Sequence, residues 1–259
     1  MRDEHTPFKN RREAGLQLAA ELAYLKKEKP IVLALPRGGV PVAYEIAYAL
    51  SAPLDVLLVR KIGAPFFPEL GIGAVVEGPS PQHVINEALV NRLNIDPAYL
   101  QEEQQRQLAE IKRRRQRYCG HHMPLQVHDR TVIVVDDGVA TGATMMTALK
   151  ALAQSHVRRL IFAVPVAPPE VISRLRAYAE EGICLLIPAD FQSVSHYYED
   201  FEQTSDEEVI SLLERQHTDF SMRLRENAQH TETSAQQEAG QNSRSNASYA
   251  DTSATRNRL

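Results

Sequence analysis

The sequence predicts an α/β fold in which a mainly parallel sheet lies between two layers of helices. Short apolar runs typical of buried strands recur along the chain, and several are followed by segments with apolar residues at helical spacing. In two of these units, a glycine-containing loop joins the strand to the helix that follows it. The two loops are at residues 36–41 and 138–142. Because such loops lie at the carboxyl ends of parallel strands, both should meet at one edge of the sheet, where α/β proteins bind ligands.

The composition is that of one domain with a tail. Of the 259 residues, 43% are hydrophobic and 24% are charged, which is enough for one core of about 200 residues. The net charge of −4 gives no general basic bias toward nucleic acid or membranes. Two cysteines, Cys119 and Cys184, are too few for a disulfide scaffold or a zinc site. Since no signal-peptide core and no membrane-length apolar window are found, we expect a cytoplasmic protein with free thiols.

The chain is predicted to begin with a helix. Asn10 should be its N-cap, and Glu13 three residues later completes a capping-box-like pair. A buried strand follows at 31–35 and leads into Pro-Arg-Gly-Gly and a second helix. In that loop, two glycines expose backbone N–H groups and Arg37 supplies a planar cation suited to phosphate, although such sequences are usually only turns.

The next strand, at 54–59, is predicted to end in two cations. Arg60 and Lys61 would then lie at the carboxyl end of a strand, either solvated or in contact with a phosphate. The loop at 62–71 combines glycines with Pro-Phe-Phe-Pro, which favours a mobile lid. A strand should return at 72–77.

A polar, mostly helical insertion is predicted at about 86–118. Asp96 and Pro97 are typical of an N-cap and a first helical position. The end of this helix carries a basic cluster, formed by Lys112, Arg113, Arg114, Arg115 and Arg117. Cations at the C-terminal end of a helix complement its dipole and stay solvated, which is the simplest interpretation. Nucleic-acid binding and packing against a second subunit are the alternatives.

The stretch at 132–144 carries the chemistry. A buried strand ends in Asp136 and Asp137, and a Gly/Thr-rich turn then opens a helix. Unpaired backbone N–H groups at a helix N-terminus bind phosphate, and the hydroxyls of Thr141 and Thr144 can add donors. Two carboxylates accept hydrogen bonds and therefore suit the vicinal hydroxyls of a ribose. The pattern favours a ribose 5-phosphate site over an ordinary acidic turn.

The C-terminal part should complete the sheet and then change character. After two further strand-forming runs, residues 189–205 are aromatic and polar, and a last helix is predicted at 206–215. From residue 216 onward apolar residues nearly vanish, so that segment cannot bury enough surface to offset its ordering entropy. We therefore expect a domain at 1–215 and a disordered, dispensable polar tail at 216–259.

The 132–144 stretch resembles the PRPP-binding signature of type I phosphoribosyltransferases, with Gly138 where a larger aliphatic residue is usual. The Pro-Arg-Gly-Gly loop resembles the family's pyrophosphate loop, in which relatives carry a non-proline cis peptide; here it would be the bond before or after Arg37. The likeness covers roughly 8–215 and is closest to a group of predicted phosphoribosyltransferases of undefined substrate, which share Arg-Lys-Ile-Gly and Tyr-Tyr-Glu-Asp-Phe segments. It implies a three-layer, Rossmann-like parallel sheet with a helical insertion and a C-terminal hood.

The resemblance also implies a reaction, the transfer of ribose 5-phosphate from PRPP to a nitrogenous base or other nitrogen acceptor with release of pyrophosphate. It implies Mg²⁺ as the cofactor, held through PRPP and through water by Asp136 and Asp137 rather than by direct protein ligands. We expect a homodimer without membrane or nucleic-acid partners. A PRPP- or nucleotide-sensing regulator that binds RNA without turnover is the alternative, and a structural or uptake-related protein with a degenerate site is another.

The resemblance implies a set of site residues, at the positions of this sequence that match the family's motifs. These are the catalytic residues Asp136, Asp137 and Arg37, the 5′-phosphate loop Val139, Ala140, Thr141, Gly142, Ala143 and Thr144, the pyrophosphate-binding residues Arg37, Gly38, Gly39, Arg60 and Lys61, and the base-stacking candidates Phe191, Tyr197 and Tyr198. Members that salvage hypoxanthine and guanine have an acidic residue just before the Thr-Gly of the phosphate loop, where this chain has Ala140. We therefore expect adenine or a non-purine acceptor. Glu69 and Glu77, in or beside the predicted lid, are the only acid or base candidates considered.

Overall fold

A computed structural model describes residues 7–78, 81–223 and 225. The chain divides into two units, Met1–His217 and Thr218–Leu259. In the second unit, residues 218–223 and 225 are helical. The rest of the predicted tail lies outside the described residues. No helix in the described ranges combines the length and the apolar character that a membrane crossing requires.

Among its described residues, the first unit contains eight strands, six α-helices, two short 3-10 helices and a further helical stretch near its end. The strands are β1 Ile31–Ala34, β2 Leu54–Val56, β3 Val59–Ala64, β4 Phe67–Val76, β5 Gln82–Ile85, β6 Thr131–Val135, β7 Arg159–Val166 and β8 Glu181–Leu186. The helices are α1 Arg11–Glu21, α2 Gly39–Leu50, α3 Glu87–Arg92, α4 Pro97–Cys119, α5 Ala143–Ala153 and α6 Pro169–Leu175. Short 3-10 helices occur at Ala23–Glu28 and Val194–Tyr197, and residues 206–217 are also helical.

The predicted α/β sheet is confirmed. Five parallel strands are ordered β2–β1–β6–β7–β8. Because successive side chains of a strand point to opposite faces, β1 and β6 contribute to both faces of the sheet. Val32 and Ile133 pack with residues of α1 and α2, whereas Leu33 and Val134 pack with residues of α5 and α6. Burial on both faces explains why these strands are apolar at every position.

The predicted lid loop is instead a β-hairpin, and this corrects the strand assignment before it. The predicted strand at 54–59 divides into β2 of the main sheet and β3 of a separate antiparallel sheet, β3–β4–β5. Arg60 and Lys61 therefore lie within β3 rather than at the carboxyl end of a parallel strand. Gly63, one of the glycines that favoured a mobile loop, permits a close backbone contact, since a Cβ there would lie 2.6 Å from the Pro68 carbonyl oxygen. Phe66, at the turn, is 96% exposed.

The basic cluster at the end of α4 is mostly ion-paired. Arg113 and Arg114 both pair with Glu110, at 2.8 and 2.9 Å. Arg117 pairs with Asp206 at 2.8 Å, and Arg115 turns inward. The predicted start of this helix is confirmed, because Asp96 Oδ1 accepts a hydrogen bond from the backbone N–H of Ala98. Much of the positive charge is thus neutralised within the domain.

The last helix extends beyond its predicted end at residue 215. Val209, Leu213 and Gln216 are buried, and their spacing of four and three residues places them on one face of the helix. The Gln216 side-chain amide donates a 2.8 Å hydrogen bond to the Ala52 carbonyl oxygen. The predicted boundary after residue 215 is therefore too early, because composition alone assigned a buried glutamine to the tail.

Arg115 forms a buried ion cluster with two carboxylates. Its guanidinium donates two 2.7 Å hydrogen bonds to Asp55, one to each carboxylate oxygen. Glu77 Oε2 lies 3.5 Å from the same guanidinium. Burial raises the pKa of Glu77 to about 7, although the charge of Arg115 opposes the shift. One cation thus faces two carboxylates, and Glu77 is the weaker partner.

We expect Glu77→Gln to change how stability depends on pH. Since the pKa of Glu77 is about 7 in the fold and 4.5 in its ordinary state, the fold favours the protonated form. The free energy of unfolding should fall as pH rises from 4.5 to about 7, by about 3 kcal/mol in total. Urea denaturation across this range should show the variant to be more stable than the wild type above about pH 7 and similar at low pH. Glu69→Gln, at an exposed carboxylate, is the matched control. If the free energy of unfolding of Glu77→Gln depended on pH in the same way as that of the wild type, the raised pKa of Glu77 would be contradicted.

Candidate active site

Two loops meet at the carboxyl edge of the parallel sheet. The Leu35 backbone N–H donates to the Val135 carbonyl oxygen at 2.9 Å, which joins the ends of β1 and β6. A Cβ on Gly38 would lie 1.9 Å from Asp137 Oδ2, so only glycine permits this approach. The Pro36–Arg37 peptide is cis, one of the two bonds expected from the resemblance. The predicted pyrophosphate loop is thereby brought against the acidic pair.

The predicted phosphate loop is open to a ligand. Gly142 adopts a φ of 79° and is the N-cap of α5, a conformation that glycine adopts without strain. Val139 anchors the loop, because its buried backbone N–H donates to the Val166 carbonyl oxygen at 2.9 Å. The loop's exposed residues are Ala140, Thr141, Ala143 and Thr144. An exposed helix N-terminus with two threonine hydroxyls can bind a phosphate group.

The acidic pair is held in a fixed arrangement. Asp136 Oδ1 accepts the backbone N–H of Asp137 at 2.9 Å, and Asp137 Oδ2 accepts Arg11 Nε at 2.7 Å. Asp136 Oδ2 and Asp137 Oδ1 take no part in these two bonds, and the two carboxyl groups lie within hydrogen-bond reach of each other. Burial raises the pKa of Asp136 well above its ordinary value, and the negative charge of Asp137 raises it further.

The predicted pyrophosphate-binding cations have different surroundings. Arg37 Nη1 lies 3.7 Å from Asp206 Oδ1, next to the end of α4. Arg60 Nε donates to the side chain of Gln107 in α4 at 3.0 Å. Lys61 Nζ lies 3.0 Å from Glu69 on the hairpin. Arg37 is on the loop that contacts Asp137, whereas pyrophosphate binding by Arg60 and Lys61 stays a prediction.

The aromatic residues of the C-terminal segment pack into a small cluster against the N-terminal segment. Tyr197 and Tyr198 are buried, and Tyr198 lies between Phe8 and Phe201, with ring centroids 5.4 and 4.9 Å away. The Tyr198 hydroxyl donates to the Asp137 carbonyl oxygen at 2.6 Å. Phe191 is half-buried and stacks on Tyr197. Base stacking by Phe191, Tyr197 and Tyr198 stays a prediction, and Phe191 is the most accessible of the three.

The glycine that departs from the signature has a packing role. Gly138 adopts a φ of 154°, and a Cβ there would lie 2.4 Å from Val194 Cγ1. Val194, in the 3-10 helix of the C-terminal segment, therefore fills the space that a larger residue would occupy. The absence of a side chain at Gly138 thus lets the C-terminal segment pack onto the turn.

Arg11 is the site residue that sequence reasoning missed. It lies in the first turn of α1, where the helix dipole disfavours a cation. That mismatch was the one signal available, and it does not identify a partner 126 positions away.

The two acid or base candidates lie elsewhere. Glu69 is 98% exposed on the hairpin. Glu77 lines a cavity of about 30 Å³ with Leu152 and Ser155, at the C-terminal end of α5. The phosphate loop is at the other end of that helix, roughly 12 Å away at 1.5 Å per residue. Glu77 is therefore not placed to exchange a proton with an acceptor at the site.

Comparisons with known proteins agree with this geometry. The model of the phosphoribosyl transferase domain family matches residues 10–200. Two Mycobacterium tuberculosis proteins, Rv0571c of strain H37Rv and MT0597 of strain CDC 1551, carry phosphoribosyl transferase as a provisional name; each is 42% identical over 214 residues. This match covers 83% of the chain but only 48% of each relative, so the chain spans about half their length. The crystal structure of TT1426 from Thermus thermophilus has a TM-score of 0.71 at 45% identity, over 80% of this chain and 98% of that one. The chain belongs to the phosphoribosyl transferase domain family and has its type I α/β fold.

Proposed function

We propose that this protein is a phosphoribosyltransferase that uses PRPP and Mg²⁺ to transfer ribose 5-phosphate to a nitrogen acceptor, with release of pyrophosphate. The observation that carries the proposal is the convergence of three features on one sheet edge. An exposed loop at a helix N-terminus, a pair of adjacent aspartates and the Pro-Arg-Gly-Gly loop are all held there. PRPP has a group for each: a 5′-phosphate, a ribose diol and a pyrophosphate.

The residues would act mainly by positioning. The 139–144 loop would hold the 5′-phosphate, and Asp136 and Asp137 would accept hydrogen bonds from the ribose hydroxyls. Arg37 and the backbone N–H of Gly38 would bind the pyrophosphate, whereas the predicted donor at Gly39 is used within the protein, in a 3.1 Å hydrogen bond to the Leu35 carbonyl oxygen. The bond from the anomeric carbon to pyrophosphate breaks, the acceptor nitrogen forms the new bond, and that nitrogen then loses a proton. Fixing both reactants removes most of the entropic barrier, and Arg37 stabilises the departing charge.

The chemistry of the site fits a metal held largely by the substrate. No cluster of three His, Cys, Asp or Glu side chains suited to a metal occurs in the part of the chain that the structure describes. The carboxyl groups of Asp136 and Asp137 can instead accept hydrogen bonds from the waters of an ion carried by PRPP. Such an ion, when bound, would neutralise charge on the pyrophosphate.

The regulatory alternative depends on the basic end of α4. Because Arg113, Arg114, Arg115 and Arg117 are paired with carboxylates of the same domain, they offer less charge to RNA than the sequence suggests. We therefore favour an enzyme of nucleotide metabolism. A homodimer stays a prediction.

The proposal predicts that PRPP with Mg²⁺ stabilises the fold. When the ligand is near 100 times its dissociation constant, the free energy of unfolding should rise by about 2.7 kcal/mol. Asp136→Asn combined with Asp137→Asn should abolish most of this gain, because the diol loses both of its carboxyl partners. Thermal-shift and calorimetric titrations measure both, and Asp129→Asn, at an exposed turn, is the matched control. Equal PRPP affinity in the double variant and the wild type would contradict the ribose site.

Turnover separates the proposed enzyme from the regulator. Pyrophosphate release from PRPP should be measured with a panel of bases and other nitrogen nucleophiles. Acceptor-dependent release supports the transferase. Tight PRPP binding without release from any acceptor, together with RNA binding, would support the regulator.

A further inference from the structure

We propose that Arg11 is a positioning residue that holds Asp137 in the orientation needed to bind a ribose hydroxyl. This inference rests on the proposed function, because it assigns Arg11 a part in the same site. It adds a residue from the first turn of α1 to a site otherwise formed by the loops of the sheet.

Arg11 is fixed by contacts on three sides. Its Nε donates to Asp137 Oδ2 at 2.7 Å, and its Nη1 donates to the Glu202 carbonyl oxygen at 2.6 Å. Its guanidinium carbon lies 3.9 Å from the centroid of the Phe201 ring. The Arg11 and Asp137 side chains are only 12% and 15% exposed, so water screens their attraction weakly. A buried charge-assisted hydrogen bond of this kind restricts both partners.

Asp137 has two further contacts that restrict it. Gly38 packs against Asp137 Oδ2, and the Tyr198 hydroxyl holds the Asp137 carbonyl oxygen. Because Oδ2 is occupied by Arg11, the carboxylate can rotate little, and Oδ1 is the oxygen left for a ligand. The orientation of Oδ1 therefore depends on Arg11.

The contacts of Arg11 join Asp137 to two segments that are distant in sequence, the one that contains Phe8 and the one that contains Phe201 and Glu202. The backbone N–H of Phe8 donates to the Tyr197 carbonyl oxygen, and the Phe8 carbonyl oxygen accepts from Glu199, both at 2.8 Å. These bonds place Arg11 and Phe201 side by side. The ribose-binding aspartate is thus oriented only when both segments are in place.

The opposite role for Arg11 would be to block the ligand site. A cation bound to a ligand-binding carboxylate can act as a plug that the ligand must displace, in which case removal of the cation would tighten binding. The structure favours positioning, because Glu202 and Phe201 hold Arg11 independently of Asp137 and because Arg11 occupies Asp137 Oδ2 rather than Oδ1.

The test is a comparison of Arg11→Met with Arg12→Met. Arg12 is the next residue of α1 and also pairs with a carboxylate, Glu45, at 3.0 Å, so it controls for loss of a cation from this helix. The probes are ribose 5-phosphate, 2-deoxyribose 5-phosphate and inorganic pyrophosphate, each titrated with Mg²⁺ by calorimetry. We expect Arg11→Met to weaken ribose 5-phosphate binding by about 10-fold or more, the scale of a hydrogen bond to a charged group. Binding of 2-deoxyribose 5-phosphate and of pyrophosphate should change little, and Arg11→Lys should recover part of the loss.

Each result decides the matter. If Arg11 had only a structural role, Arg11→Met would bind all three ligands more weakly by the same factor and would have a lower melting temperature. Tighter binding of ribose 5-phosphate by Arg11→Met would show that Arg11 is a plug. If wild-type protein binds ribose 5-phosphate and PRPP but Arg11→Met matches Arg12→Met, the positioning role alone fails. If wild-type protein binds neither ligand, the proposed function fails and the inference with it.

Discussion

Replacement of Arg115 by methionine is expected to lower the free energy of unfolding by about 3–5 kcal/mol, the scale found when one partner of a buried ion pair is removed. The side chains of Arg115, Asp55 and Glu77 are 10%, 8% and 7% exposed. Without the guanidinium, Asp55 would lose both of its 2.7 Å charge-assisted hydrogen bonds in a site that water barely reaches. The loss would come from an orphaned buried carboxylate rather than from the missing arginine contacts.

Urea denaturation of matched variants measures this loss. Arg114→Met is the control, because the neighbouring Arg114 is 38% exposed and pairs with Glu110 on the same helix face, where a surface ion pair contributes about 1 kcal/mol or less. Adding Asp55→Asn and Glu77→Gln to Arg115→Met should restore part of the stability, since no buried charge would then be unpaired. Equal destabilisation by Arg115→Met and Arg114→Met would refute the buried-charge explanation.

Hypoxanthine and guanine are expected to be very poor acceptors. In the resembling enzymes that use them, an acidic residue of the phosphate loop handles the proton of the purine nitrogen, and this chain has Ala140 at that position. The structure leaves Ala140 exposed on the loop and places Glu77 at the far end of α5. Since a general acid or base contributes about 10²–10⁴-fold, its absence should be visible in the rate.

Steady-state assays with PRPP, Mg²⁺ and each base in turn test the acceptor. Adenine or a non-purine nitrogen compound should give the highest kcat/KM. Ala140→Asp should raise kcat/KM for hypoxanthine and guanine, and Ala143→Asp, at another exposed loop position, is the control. A wild-type kcat/KM for either purine of about 10⁴ M⁻¹s⁻¹ or more, within the ordinary enzyme range, would refute the argument from Ala140.

The sequence predicted the parts of this structure that depend on local pattern. The strand before Asp136, the loop that follows and the Asn10 cap are each encoded within a few residues, and all were located correctly. The hairpin was missed because glycine and proline favour loops locally, whereas its pairing depends on partners that a local pattern does not reveal.

Contacts between distant segments were harder to predict. No periodicity connects Arg11 with Asp137, or Val194 with Gly138, because each pair meets only when segments distant in sequence pack together. The burial of Gln216 was missed for a related reason, since composition gives no indication that the Ala52 carbonyl oxygen lies within reach.

The pairing of the terminal segments has a consequence for biosynthesis. Phe8 and Tyr198 form a parallel β-bridge. This contact cannot form until Tyr198, 190 positions after Phe8, has been synthesised. A chain emerging from the ribosome exposes Asp136 and Asp137 before Tyr198, Phe201 and Glu202 have been made. Contacts so distant in sequence form late, because the entropy of closing a long loop opposes them until the rest of the domain has folded. The sheet can therefore fold before Asp137 has all of its contacts, which are complete only once residue 202 has been made.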